Sequence, residues 1–360
     1  MRAAVFTETG GALTIEELEP TAPGPRDVVV ELGASGVCHS DLSLKNGYVA
    51  IMPGTVLGHE GAGTVREVGA EVTKVKPGDR IIASFIPACG TCWFCLHDSS
   101  HLCDNEMAVM MSMRGNRPDG SQYMAMTGLG TFAEAMTCNE GSIVKIASDL
   151  PDEQLALIGC GVTTGVGAAL NTAEVQPGTT VAVIGCGGVG QAVIQGARIA
   201  GASRIIAVDP VEMKRKTAEQ LGATDFVDPN AGDPVAQVQQ LTSGRGVDYA
   251  FEVIGLPETT LQAYNMIRKG GTAVMVGMTR AEAQVTIPTF DLFFNEKTLK
   301  GSKYGSGQVR RDFQRYIDLI ETGRLDTSSM VSKTIKLDEV NDAFTAMENG
   351  EVIRSVITSF

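Results

Sequence analysis

The sequence lacks any uncharged apolar run of the roughly 20 residues that a bilayer-spanning helix needs. A membrane-embedded chain is therefore not expected. Surplus positive charge is missing too: 29 Lys and Arg against 42 Asp and Glu leave a formal net charge of -13. With nothing to offset the repulsion between two polyanions, general nucleic-acid binding is not expected either. Small anionic ligands respond to local fields and stay open. The opening MRAAVFTETGGALTIEELEP has no long apolar core and carries acids early, unlike a secretory leader. Internal repeats and low-complexity tracts are also absent. These gaps leave a cytoplasmic protein with a small-molecule partner, and no nucleic acid or membrane.

At 360 residues the chain suits two domains. Residues 1 to about 150 read as short strands broken by Gly and Pro: AAVF, DVVVELGASGV, GAGTVREVG and DRIIASF, with turns at Pro23-Gly24, Pro53-Gly54 and Pro77-Gly78. This half is mostly β and partly barrel-like. The rhythm changes near residue 175, where buried strands (TTVAVIG, RIIAVD, DFVD, VDYAFEVIG, GTAVMVG) alternate with helices. That alternation predicts an α/β domain with a doubly wound parallel sheet. Amphipathic helices and a last strand, RSVITSF, follow residue 303. The simplest layout inserts the sheet domain, 162–303, into a discontinuous outer domain, 1–161 and 304–360.

Gly185-Cys186-Gly187-Gly188-Val189-Gly190 fits the G-x-G-x-x-G pattern. In a chain with 42 glycines the pattern alone is weak, but here it closes a predicted strand and opens a predicted helix. An acid, Asp209, follows 19 residues after Gly190. The first glycine permits the turn, the second admits a pyrophosphate to the backbone, and the third lets helix and strand pack. The helix N-terminus then stabilises the negative charge. A carboxylate at Asp209 suits ribose hydroxyls and repels a 2′-phosphate, so NAD is expected over NADP. The bland alternative is a strand-to-helix turn with no ligand.

Four of the eight cysteines fall within fifteen residues: Cys89, Cys92, Cys95 and Cys103. Their spacing can close a tetrahedral thiolate site with no open position, hence a structural zinc in a lobe over 85–105. An iron–sulfur centre is the rival. His97 and His101 are surplus to the set and read as exposed. Cys38, His59 and Cys160 are dispersed, and each alone is unremarkable. Together they supply two thiolates and an imidazole, the donor set of a catalytic zinc with one vertex left for substrate.

The segments GVCHSD, LGHEGAG, the Cys89–Cys103 cluster, LIGCGVTTG, VIGCGGVG and FEVIG resemble, in order and over essentially the whole chain, the zinc-containing alcohol dehydrogenases of the medium-chain dehydrogenase/reductase superfamily. The resemblance implies a Rossmann domain, a GroES-like catalytic domain and two zincs per chain. Catalytic zinc would sit on Cys38, His59 and Cys160, with Asp41 and Glu60 behind the ligands, and structural zinc on the four clustered cysteines. It further implies hydride transfer between an alcohol and NAD, with Ser40 as the first hydroxyl of the proton path. The next station is commonly histidine and here is Ser43, which cannot act as a base near neutrality. His39 and Arg354 match pyrophosphate contacts, Lys214 a ribose or adenine contact, and Thr164 a nicotinamide-side contact. Phe85 matches the wall of the substrate pocket, Trp93 reads as lobe packing, and Cys138 and Cys186 have no ligand role.

The stretch RGNRPDGSQYMAMTGLGTFAEA resembles the extended loop of the liver-type and formaldehyde-oxidising classes, which favours a homodimer. The segments SFIPACGTC and ALIGCGVTTGVGAALNTAEVQPG look nearest to bacterial nicotinoprotein-like members, which can hold NAD tightly, so a nicotinoprotein using an external electron acceptor is one alternative. Oxidation of a thiol adduct of formaldehyde is the other alternative activity. A non-catalytic NAD-binding protein would be marked by loss of a catalytic ligand, and all three are present.

Overall fold

A computed structural model describes residues 1–360. It divides the chain into two units: Met1–Cys160 with Gln308–Thr322 and Val331–Phe360, and Gly161–Gly307 with Gly323–Met330.

The first unit is built on β-branched, alternating segments. The eleven-residue strand Asp27–Val37 is its spine, pairing antiparallel with Glu60–Val68, with Ala135–Asn139 and with the final strand Arg354–Ser359. Arg80–Ala83 and Ile143–Lys145 extend this sheet on one side and Val331–Lys336 on the other. A second, six-stranded sheet carries Arg2–Phe6 and Thr55–Val56. The expected long loop is partly ordered: Met113–Asn116 and Gln122–Ala125 pair antiparallel within this second sheet. Val28, Val30, Val65, Ile81 and Met136 form one buried cluster, and Phe6, Val37, Leu57, Phe132 and Phe344 another.

In the second unit six parallel strands follow the short apolar runs of the sequence. From Thr180–Ile184 as first strand, the spatial order is third, second, first, fourth, fifth, sixth. That is the doubly wound Rossmann order, with its reversal beside the first strand. Ala182, Ile184, Ile206, Val208 and Ala250 are buried in its core.

The simple insertion layout needs a correction at its edges. Residues 304–307 and 323–330 pack with the sheet unit, not with the outer one. The Gly305 carbonyl accepts from Asn171 Nδ2 (3.3 Å), and a Cβ on Gly167 would stand 2.6 Å from that oxygen. Gln195 grips the Asp326 backbone at both N–H and C=O (2.7 and 3.0 Å), and Arg198 donates to the Arg324 carbonyl. The expectation that no run is long and apolar enough to span a bilayer needs a correction: the helical stretch Asp152–Thr172 is, although 83% of its most apolar window is buried inside the protein.

Candidate metal centres and dinucleotide turn

Cys38 ends the spine strand and opens the short helix His39–Lys45. Asp41, in the first turn of that helix, reaches back so that its Oδ2 accepts from Cys38 N (2.9 Å). Its Oδ1 accepts from Gly58 N (3.1 Å) and lies 2.9 Å from His59 Nδ1. Asp41 is fully buried and His59 nearly so. A carboxylate on Nδ1 fixes that nitrogen as the protonated one and leaves Nε2 as the donor atom, the arrangement that orients metal-bound histidines.

Cys160 lies in a widened helical turn, Ile158–Val162, where Gly159 lets the chain approach the sheet: a Cβ there would stand 2.7 Å from the Ala83 carbonyl. One ligand atom from each of Cys38, His59, Glu60 and Cys160 falls within 4.8 Å of the others, and all four residues are buried. Metal–ligand bonds of about 2.0–2.3 Å place tetrahedral donors roughly 3.4–3.8 Å apart. The donor set therefore fits a single zinc, with two thiolates balancing its charge.

Behind these donors is an ion pair that sequence reading missed. Arg354, at the head of the last strand and 3% exposed, donates from Nη2 to Glu60 Oε1 (3.0 Å) and from Nη1 to the Val37 carbonyl (3.1 Å). Burial pushes the Glu60 carboxyl up to about 7, against the pull of Arg354. The hydrogen bond from Cys160, joined by the Arg354 charge and His59, pulls the Cys38 thiol well below its ordinary range. Cys160, as the donor in that pair and buried, is pushed up. For His59, burial acts downward, but Asp41 and Cys38 together outweigh it, so the imidazole is raised. Gly36 makes room for the pair: a Cβ there would stand 2.1 Å from Glu60 Oε2. A glycine at an interior strand position was the only visible sign.

Ser40 is half-buried, Ser43 is buried and His39 is exposed. The Phe85 ring stands edge-on to His59, centroids 5.7 Å apart.

In the lobe, the Sγ atoms of Cys89 and Cys95 are 3.9 Å apart and those of Cys92 and Cys103 are 4.0 Å apart. About 3.8 Å is what a tetrahedron of 2.3 Å Zn–S bonds requires. A multi-iron cluster sets its thiolates farther apart, so the site fits one ion. Thr91 and Cys92 backbone N–H groups point at Cys89 Sγ (3.4 and 3.3 Å), and hydrogen bonds led by Thr91 lower that thiol to about 5. Trp93 is 62% exposed and stacks on His97 at 4.3 Å, so it is surface rather than packing. His97 is exposed, but His101 is half-buried rather than exposed.

The glycine turn separates three different constraints. Gly185 has φ +93°, and a Cβ on Gly190 would stand 1.9 Å from the Gly185 carbonyl; both are required by the fold itself. Around Gly187 a Cβ would meet nothing within 4 Å. Open space beside this residue at the head of the helix Gly188–Ile199 leaves room for a backbone-hugging phosphate. Val189 is half-buried on that first turn. Asp209 is 4% exposed, with Lys214 Nζ 3.7 Å from its Oδ2. Thr164 is half-buried in the helix Thr163–Gly167. Cys138 and Cys186 are buried, and burial pushes both thiols up.

Fold and donor sets together define a zinc oxidoreductase, and comparison with known proteins gives its family. Residues 24–148 match the alcohol dehydrogenase GroES-like domain and residues 188–322 the zinc-binding dehydrogenase domain. An NDMA-dependent alcohol dehydrogenase of Amycolatopsis methanolica is 40% identical, over 99% of this chain and 98% of that one. The crystal structure of benzyl alcohol dehydrogenase from Acinetobacter calcoaceticus superposes with a TM-score of 0.92 at 30% identity, covering 100% and 99% of the two chains. A zinc-binding dehydrogenase of Sinorhizobium meliloti 1021, solved with NADP, gives 0.81 at 30% identity, covering 99% and 98%. The chain belongs to the zinc-containing alcohol dehydrogenases.

Proposed function

We propose that this enzyme oxidises primary or aromatic alcohols to aldehydes, reversibly, with NAD as the hydride acceptor. The observation that carries the reading is the convergence of Cys38, His59 and Cys160 in a buried site fixed from behind by Asp41, with Glu60, the fourth possible donor of the cluster, paired to Arg354. Zinc held there supplies a Lewis acid that eases loss of the alcohol proton.

The chain's own groups do the rest. Asp41 holds His59 in one tautomer, and Glu60 with Arg354 sets the charge around the thiols. The half-buried Ser40 hydroxyl takes the alcohol proton into a hydrogen bond. Ser43 passes it on only as a hydroxyl, so the proton leaves through water. Phe85, edge-on to His59, gives an aromatic or alkyl substituent an apolar wall. The family resemblance would give His39, Arg354 and Thr164 contacts to the cofactor. Gly185, Gly187, Gly188, Val189 and Gly190 cradle the phosphates.

Asp209 favours NAD, although one solved relative carries NADP. A buried carboxylate at Asp209 would repel a 2′-phosphate, and Lys214 Nζ, 3.7 Å from its Oδ2, is already drawn to it. The four lobe cysteines hold the second zinc. None of the eight cysteines is joined in a disulfide, and the reducing cytoplasm is the compartment we propose.

The reading includes a homodimer. The outermost parallel strand, Thr298–Gly301, is exposed throughout, and Phe290, Phe293 and Phe294 beside it are 71%, 77% and 63% exposed. A parallel-sheet edge flanked by bare aromatics is a surface that monomers avoid.

Steady-state assays of the zinc-loaded protein with benzyl alcohol, ethanol and hydroxymethyl-thiols test the proposal. NADH formation with benzyl alcohol and NAD is expected, and activity confined to thiol adducts would overturn the substrate assignment.

A further inference from the structure

The phosphate turn is held by a residue that none of the motifs contains. Gln191 lies in the first turn of the helix Gly188–Ile199 and is fully buried. Its Nε2 donates to the Cys186 carbonyl (3.0 Å) and to the Lys214 carbonyl (3.1 Å). Two carbonyl acceptors at bonding distance settle which end of the amide is nitrogen. The other backbone group of Cys186, its N–H, donates to Asp209 Oδ2 at 2.8 Å, the oxygen that Lys214 Nζ approaches at 3.7 Å. Asp209 Oδ1 accepts from Val211 N at 2.9 Å.

These contacts close a ring. Gln191 ties the turn to the backbone of Lys214, Cys186 ties the turn to Asp209, and the Lys214 ammonium returns to Asp209. Backbone bonds hold either side of the turn, Gly185 N–H donating to the Val208 carbonyl (2.9 Å) and Gln191 N–H to the Gly187 carbonyl (2.8 Å), while the Cys186 carbonyl between them takes the Gln191 side chain. Without Gln191, the Cys186–Gly187 peptide loses its side-chain partner, and the adjoining Gly185–Cys186 peptide, whose N–H meets Asp209, is held less firmly.

We propose that Gln191 is a positioning residue for the dinucleotide. By clamping the Cys186 and Lys214 carbonyls it fixes the Asp209 carboxylate against the phosphate turn, and so sets both the affinity for NAD and the discrimination against a 2′-phosphate. This rests on the NAD reading above. Gln191 touches no reacting atom, so the chemical step itself is untouched.

The test is calorimetric titration of the zinc-loaded enzyme with NAD and with NADP, for the parent, Gln191→Met and Gln195→Met. Met keeps the length of Gln without its donors. Gln195 is the internal control: it is on the same helix, equally buried, and makes its two backbone hydrogen bonds to Asp326, away from the turn. In Gln191→Met the Kd for NAD should rise about tenfold, the NAD/NADP preference should narrow, and kcat at saturating NAD should stay within about twofold. Gln195→Met should lower Tm while leaving both dissociation constants unchanged. If Gln191→Met fails to fold, Gln191→Asn, one methylene too short to reach both carbonyls, should show the same direction. An unchanged Kd and preference in Gln191→Met, or an equal loss in Gln195→Met, would overturn the proposal. A parent enzyme that binds no NAD would instead overturn the dinucleotide reading, and this inference with it.

Discussion

Asp41 Oδ1 lies 2.9 Å from His59 Nδ1, and the same carboxylate also takes the backbone N–H groups of Cys38 and Gly58. One buried acid thus fixes two of the three donors of the candidate catalytic site, one through its ring and one through its backbone.

Replacing that acid should therefore loosen the metal before it loosens the fold. Asp41→Asn should lower zinc affinity at this site by roughly 10- to 100-fold. The four-cysteine lobe, which shares no hydrogen bond with Asp41, should keep its ion. Dialysis against graded chelator, followed by metal analysis, should show zinc content falling from two per chain to one at a lower chelator concentration than in the parent.

The Arg354–Glu60 pair offers a double-variant cycle. Arg354→Met leaves a carboxylate buried without its cation, a change that costs about 3–5 kcal/mol. Adding Glu60→Gln removes that stranded charge and should restore part of the loss. Chemical denaturation of the parent, both single variants and the double variant measures the coupling; purely additive losses would deny the pair.

Gly36→Ala should break the same pair by crowding. The new methyl group would fall 2.1 Å from Glu60 Oε2, so the carboxylate must swing away from Arg354. An overpacking cost of about 1–3 kcal/mol is expected, with a matching fall in turnover. A Glu60→Gln/Gly36→Ala double variant should lose little more than Gly36→Ala alone.

Asp248 gives a pH dependence outside the metal site. Burial pushes its carboxyl up, but hydrogen bonds from Thr180 N and Oγ1 (2.7 Å each) and Arg268 Nε (2.6 Å) win, and its pKa is lowered. A depressed carboxyl stabilises the folded state fully above its unfolded pKa of about 3.9 and loses that contribution as pH falls through the folded value. The stability gap between the parent and Asp248→Asn should therefore be constant near neutrality and shrink below about pH 4. Urea titrations over a pH series would show it.

The dimer reading is tested at the bare aromatics. Phe293→Glu with Phe294→Glu adds charge beside the exposed edge strand and should convert a dimer to a folded monomer. Light scattering on the eluting peak reads the mass directly, and an unchanged dimer would place the contact elsewhere.

Much of this was legible in the residues. The strand-and-helix alternation after residue 175 announces a doubly wound sheet because buried parallel strands must be short and apolar. The lobe cysteines are readable because all four ligands are local. What the sequence hides are contacts between distant segments. The Arg354–Glu60 pair joins residues 294 positions apart, and each alone reads as an ordinary charge. The return of 323–330 to the sheet unit is tied by Gln195, among other contacts, a polar residue on a helix face that looks unremarkable in one dimension. Gly36, Gly159 and Gln191 matter only through what stands opposite them.

The account depends most on three remote side chains sharing one ion, and native mass spectrometry of the parent and Cys38→Ala measures that directly. The parent should carry two zincs per chain, and Cys38→Ala should retain only the lobe zinc and no alcohol oxidation. One zinc in the parent, or full metal content and activity in Cys38→Ala, would contradict it.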